Sequence, residues 1–339
     1  MKKIFLSLII IGIFLCCSEK KNNYPLLSID HFPINGKLTA QIQQIPPIAM
    51  SPHRLFITNE YLLLYNTQKD TLFDIFRLPD LTLLYSAGIK GQGPQDFYDL
   101  ERRMFEPTAK GFKVFSQPDR KIKEVVVSDS GLWVDNDNAI TYKIDETPLN
   151  GVLPIKDSTL IYWGGVESEK EYVLFDTQKG SRTFSSYPAW GNDQREELPI
   201  FTYVKNTVLN ADHTRFISFY GYFKRFRIHS VEGELLKEVT VQTPPYEDKL
   251  AENPLDRTVY YFTPPRTDGN YIYILCKNST RTEEKAPELQ IWNWEGEPVA
   301  RYELDRPLTL FDISATRHKL YAVDGEHEAE IYVYDLPAF

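Results

Sequence analysis

The chain is punctuated by short apolar-aromatic runs that recur in groups. YLLLYNT (61–67), GFKVFSQ (111–117), LIYWGG (160–165), RFISFYGY (215–222), YIYILCKN (271–278) and KLYAVDG (319–325) all have strong β character. After a short gap each is followed by a second such run: LFDIFRL, KIKEVVV, EYVLFDT, RFRIHSV, ELQIWNW and EIYVYDL. Most of these end in a turn with glycine (SDSG, TQKG, VEGE, WEGE), and a third run follows in LTLLYS, LWVD, RTFSSY, LLKEVTV and PVARYELD. Glycine in a short connection between β-prone runs signals a hairpin. No stretch sustains the 3.6-residue apolar period of a helix; YDLERRMF comes nearest and is short.

The leading core positions Tyr61, Phe112, Leu160, Phe216, Tyr271 and Leu320 are separated by 51, 48, 56, 55 and 49 residues. A four-stranded unit repeating at about 40–50 residues is a propeller blade. The pattern therefore predicts an all-β, six-bladed β-propeller over residues 35–339. The sixth unit reaches the C-terminus without a fourth strand. KLTAQIQQI (37–45) alternates apolar with polar positions, and we expect it to pair with 329–336 and close the ring. Closure covers sheet edges that otherwise invite aggregation.

GIKGQGPQDF (88–97) looks at first like a phosphate-cradling loop. It lacks the third glycine of a dinucleotide loop, Pro94 removes a backbone donor, and a strand follows where a helix is needed. It reads as the joint from the outer strand of blade one to the inner strand of blade two, with Phe97 plugged between blades. Gln92 and Gln95 are left as candidate contacts near the channel mouth.

The first residues are a targeting segment. MKK is followed by the apolar run 4–15, too short to span a bilayer, and the run ends in Cys16-Cys17. This resembles a bacterial lipoprotein signal, which implies cleavage after residue 16 and lipid on Cys17. Residues 1–16 are then the signal, 17–34 a tether, and the membrane is a partner through the lipid. The expected location is the outer membrane, on its periplasmic side or at the cell surface. Several acyl chains anchor a protein stably.

The C-terminal third carries a further resemblance. Asn293-Trp294-Glu295-Gly296-Glu297-Pro298, Tyr302-Glu303-Leu304-Asp305 and Lys319-Leu320-Tyr321-Ala322 follow TDGNYIYILCKN in the order seen in the TolB-like six-bladed propeller lipoproteins of Bacteroidetes. The resemblance extends over nearly the whole chain. It implies the same fold and a lipoprotein localisation, and it brings no catalytic residues with it.

Composition narrows the functional classes. Aromatics reach 14%, which favours strands, and the formal charge of -9 argues against nucleic acid as a partner. The histidines at 31, 53, 213, 229, 318 and 327 are scattered, so no metal motif emerges. Asp157, Asn210, Asp212, Asp268 and Asp312 lie near expected inner strands, where related hydrolases hold a channel metal, but such residues are most often turn formers. Glu326-His327-Glu328 reads as a solvated turn. No G-x-S-x-G occurs, no cofactor motif is visible, and the lone Cys276 sits in a strand-like run as a core thiol.

Two insertions, 185–203 and 243–269, interrupt the repeat between blades three and four and between blades four and five. They supply Trp190, Arg195, Tyr246, Arg257, Tyr260 and Arg266, residue types that anchor interfaces. Tyr220 on the hairpin FYGYFKRFRI (219–228), expected as a solvated tip, and Arg102 and Gln92 complete the candidate ligand contacts. The same insertions could instead pack as covers over the propeller. The leading expectation is a non-enzymatic binding or scaffold module for a protein, peptide or glycan. The alternative is a channel-based hydrolase or lyase, with or without a metal.

Overall fold

The computed structural model describes residues 24–47, 52–145, 148–191 and 197–339. The signal segment, Cys17 and Arg195 lie outside these residues. Six small sheets form the six blades of a β-propeller. Among the described residues helix is confined to Pro199–Thr202 and two single 3₁₀ turns. None is long and apolar enough to cross a membrane.

Blade one runs from Arg54–Thr58 at the axis through Tyr61–Tyr65 and Thr71–Arg77 to Thr82–Ile89 at the rim. The inner strands of blades two to six are Leu100–Pro107, Leu153–Lys156, Lys205–Leu209, Arg266–Thr267 and Leu310–Ser314. Middle strands such as Tyr61–Tyr65 are buried almost throughout, whereas the rim strand Thr82–Ile89 is largely half-exposed. A middle strand has a neighbouring blade against each face, so its sequence is continuously apolar. All six leading core positions fall in these second strands. Each seam between blades holds its own hydrophobic core.

The ring closes as expected. Gln41–Gln44 pairs antiparallel with Glu330–Asp335, in the register Gln44↔Glu330 to Gln41↔Val333. The tether expected over 17–34 needs correction. Leu26–Ile29 adds a parallel fifth strand to blade four, and Ile34–Lys37 does the same on blade five. Between them Ile29 and Phe32 enter the core of the seam between these blades, with Phe32 edge-on to Trp292 at 4.9 Å. Four of the seven residues 26–32 are apolar, and burying Phe32 contributes roughly 1.5–3 kcal/mol toward docking the segment.

The joint at 88–97 is structural. Gly88 has φ +79°, and a Cβ there would lie 2.6 Å from the Phe73 ring. The Asp96 carboxylate accepts from the Gly93 amide at 2.9 Å, which shapes the loop. Phe97 is fully buried in the seam between blades one and two. Gln95 is not near the channel: it donates to Val134 O and accepts from Val134 N, bracketing the rim strand Gly131–Thr141 of blade two. Gln92 is exposed in the same joint.

Candidate functional site

Inner strands begin at one end of the axis, and there every blade contributes to a single cavity of about 550 Å³. Its walls include His53, Arg102, Asn150, Asn206, Pro264 and Leu310, one from each blade or its lead-in. Of the residues expected to contact ligand, Arg102 is the one this mouth displays, exposed on the inner strand of blade two.

A polar belt fixes the mouth. Glu101 Oε2 accepts from Gln117 Nε2 at 3.3 Å, and Gln117 Oε1 accepts from the Leu149 amide at 3.0 Å, joining blade two to the lead-in of blade three. Arg103 lies 3.5 Å from Glu101 Oε1 and stacks over the Trp163 ring at 4.7 Å. Its Nε donates to Asn206 on blade four, and Asn206 donates to Tyr261 O at 3.1 Å. The belt thus crosses from blade two to the approach of blade five. Burial raises the Glu101 carboxyl above its ordinary value, against the pull of Arg103. His53 is held below its usual value by burial and by the nearby Arg102 charge.

Deeper along the axis, Arg266 meets Asp312 at 3.2 Å and donates to Phe311 O. Asp312 accepts from the Ile57 amide at 2.8 Å, so blades five, six and one are bound together. Arg266 is therefore an internal brace. The other acids considered for a channel metal are turn residues: Asp212 bonds Thr214, and Asp268 accepts from the amides of Asn270 and Tyr271. His327 bonds Asp324 at 2.8 Å in the last turn. Cys276 is fully buried, and burial pushes its thiol up.

A second charged cluster lies between blades three and four. Glu171 is fully buried and accepts from Tyr220, Arg227 and Ser185 at 2.7, 3.0 and 3.0 Å. Lys205 lies 3.3 Å away, surrounded by the rings of Trp163, Tyr172, Tyr187 and Tyr220. Burial alone would raise Glu171, but Lys205 and Arg227 outweigh it and keep the carboxylate charged. Arg227 continues to Glu238, which also accepts from Trp190 Nε1 at 2.9 Å.

The insertions are covers. Trp190, Tyr203, Tyr220, Tyr222, Phe223, Leu250 and Val259 form one buried cluster. Arg257 forks onto both oxygens of Glu197 at 3.1 and 2.8 Å and so clasps one insertion to the other. Tyr246 is buried against Tyr260, with ring centroids 5.3 Å apart, and Tyr260 is half-buried. Trp190, Tyr220, Tyr246, Arg257 and Arg266 are thus internal and do not present an exposed patch. The FYGYFKRFRI tip is correspondingly buried, because the insertions fold over it. Reading the sequence missed Arg54, Glu101, Arg103, Glu171, Lys205 and Arg227. Their signal was a charge set within or beside an apolar run, as in HRLFIT, EYVLFDT and RFRIHS.

No family model matches the chain, and no curated protein does. Among solved structures it is similar to a member of the DUF4221 family from Bacteroides vulgatus. That match has a TM-score of 0.61 at 12% identity and covers 88% of this chain and 97% of the other. It is also similar to a candidate exported protein of Bacteroides fragilis, with a TM-score of 0.51 at 11% identity, over 91% and 99% of the two chains. At these identities the likeness establishes the six-bladed fold alone.

Proposed function

We propose that this propeller is a lipid-anchored, extracytoplasmic recognition module whose axial mouth engages a protein, peptide or glycan without covalent chemistry. The observation that carries the reading is the mouth itself: one concave site to which all six blades contribute. Concave sites with a few convergent polar groups on a rigid frame are the usual places of recognition. The buried acid of the mouth, Glu101, is engaged by Arg103 and Gln117 and serves to hold the frame. The sequence resemblance to TolB-like lipoproteins, and the likeness to a candidate exported protein, support the extracytoplasmic part of the reading.

Chain direction supports an orientation. Inner strands start at the mouth end, so the rim strand Leu235–Val241 of blade four, three antiparallel steps on, also ends there. Leu26–Ile29 runs parallel to it, and Tyr24 therefore enters at the opposite end. The seven residue-to-residue steps from Cys17 to Tyr24 reach at most about 25 Å when extended. A lipid on Cys17 would hold that end toward the membrane and leave the mouth facing away.

Two measurements test this. Metabolic labelling with a fatty-acid analogue should mark the wild type and not Cys17→Ala, which should leave the membrane fraction. Retained label in the variant overturns the anchor. A photo-crosslinking residue at Asp99, in the mouth, should capture a partner in intact cells, and one at Asp80, in a turn at the opposite end, should not. Equal capture from both positions overturns the mouth as the recognition face.

A further inference from the structure

We infer that the axial mouth binds a carboxylate, with Arg102 and Arg54 as its cationic contacts. The inference rests on the reading of the mouth as the recognition site and gives that site a ligand class.

The starting point is an arginine with two unbonded donors. Arg54 opens the inner strand of blade one directly after His53, which lines the mouth. It is 4% exposed, and neither Nε nor Nη1 has a hydrogen-bond partner. The Phe105 ring lies 5.8 Å from its guanidinium carbon. A buried donor left unbonded is costly, and a native fold that keeps one calls for a group that satisfies it. The charges around Arg54 come from three other blades: Glu101 and Arg103 of blade two, Arg266 of blade five and Asp312 of blade six. Both acids are already engaged, Asp312 by Arg266 and the Ile57 amide, Glu101 by Arg103 and Gln117. Arg102 adds an exposed guanidinium on the mouth wall, whereas Arg54 is buried behind that lining.

The balance of charge selects the ligand. Arg54, Arg102, Arg103 and Arg266 stand against Asp99, Glu101 and Asp312, a surplus of one positive charge in and beneath the mouth. One monoanion neutralises that surplus, whereas a phosphate dianion would crowd three resident acids. A planar carboxylate also fits the guanidinium fork. Phe262, Pro264 and Leu310 supply an apolar part of the wall, suited to the neutral body that carries the carboxylate. A peptide C-terminus and a glycan uronate both have this form.

Isothermal titration calorimetry at low ionic strength tests the inference. The probes are acetyl-alanyl-alanine and its C-terminal amide, glucuronate and glucose, and inorganic phosphate. At least one carboxylate should bind, with its neutral counterpart and phosphate each about tenfold weaker or more. Which acid binds distinguishes peptide from glycan. Arg102→Ala should weaken binding by about tenfold or more. Arg54→Met should raise the thermal midpoint of the free protein, since an uncompensated buried charge is gone, and should abolish the rise in midpoint that the acid gives the wild type. Equal binding of acid and amide, tighter binding of phosphate, no binding by either acid, or indifference to Arg102→Ala overturns the inference. If that happens while Asp99 still captures a partner in cells, the carboxylate falls and the recognition face stands. If capture also disappears, both fall.

Discussion

At the scale of residues, the seam between blades three and four is held by charge as well as by apolar packing. Glu171 satisfies Tyr220, Ser185 and Arg227 and lies 3.3 Å from Lys205. Removing one member of a buried ion pair leaves its partner uncompensated and typically costs 3–5 kcal/mol. Glu171→Gln should therefore lower the stability measured by urea unfolding by about 3–5 kcal/mol; a loss under about 1 kcal/mol would mean that solvent reaches Lys205. His229 lies beside this cluster, stacked on Phe216 at 5.1 Å, with Nε2 3.0 Å from Ser185. Burial pushes its pKa down to about 3. The folded state then holds a neutral imidazole where the unfolded chain protonates near its ordinary 6.5. Stability is full above that value and declines as pH falls from about 6.5 toward 3. Between pH 7 and 4.5 this one group should account for roughly 2–3 kcal/mol of lost stability. His229→Phe should flatten the urea midpoint over that interval, and an unchanged slope would assign the loss to carboxylates.

At the scale of elements, the legible strands were those buried on both faces. YLLLY and YIYILC sit between neighbouring blades, so their apolar character is continuous and their spacing reveals the repeat. The closing strand Gln41–Gln44 was also legible, because the sixth unit visibly lacked a partner. The parallel strands Leu26–Ile29 and Ile34–Lys37 were not, since each lies on an already complete blade and is largely exposed. The insertions misled for a different reason. Trp, Tyr and Arg have large apolar surfaces with polar ends, which serve an interface and a covered core equally well. Trp190 shows the second use, with Arg225 and Arg227 at 4.9 and 5.0 Å from its ring and its N–H on Glu238. In the candidate site, Arg102 could be named from sequence, but Arg54 acquires its meaning only when blades two, five and six surround it. The N-terminal strands yield a prediction at this scale. Phe32 lies outside the six repeats yet is 3% exposed in the seam between blades four and five. Phe32→Ala should cost about 3–5 kcal/mol in urea unfolding, as for a core phenylalanine. A loss below about 1 kcal/mol would mean that this segment is docked and not integral.

At the scale of the whole molecule, the ring depends on its two ends meeting. Blade six takes three strands from the C-terminal region and its rim strand from residues 41–44. Without that strand, Glu330–Asp335 would be a free edge able to pair with another chain. The pairing is non-local, so its closure entropy must be met before the rim strand of this blade pairs. A covalent link across the same register removes that cost from folding. Gln44 and Glu330 are directly opposed, and their side chains bond at 3.2 Å. In a form of the chain that starts after Cys17, Gln44→Cys with Glu330→Cys should oxidise in the folded state. The bond would close a loop of nearly the whole propeller. Loop-entropy arguments give about 4–5 kcal/mol for loops of 100 residues or more, an upper bound that strain reduces. The oxidised protein should therefore unfold at higher urea than the same protein under reductant. Without reductant it should remain monomeric in light scattering. Failure to oxidise while folded would show that residues 41–44 do not sit beside the last strand. Oxidation without stabilisation would show that the unfolded ring already keeps its ends together.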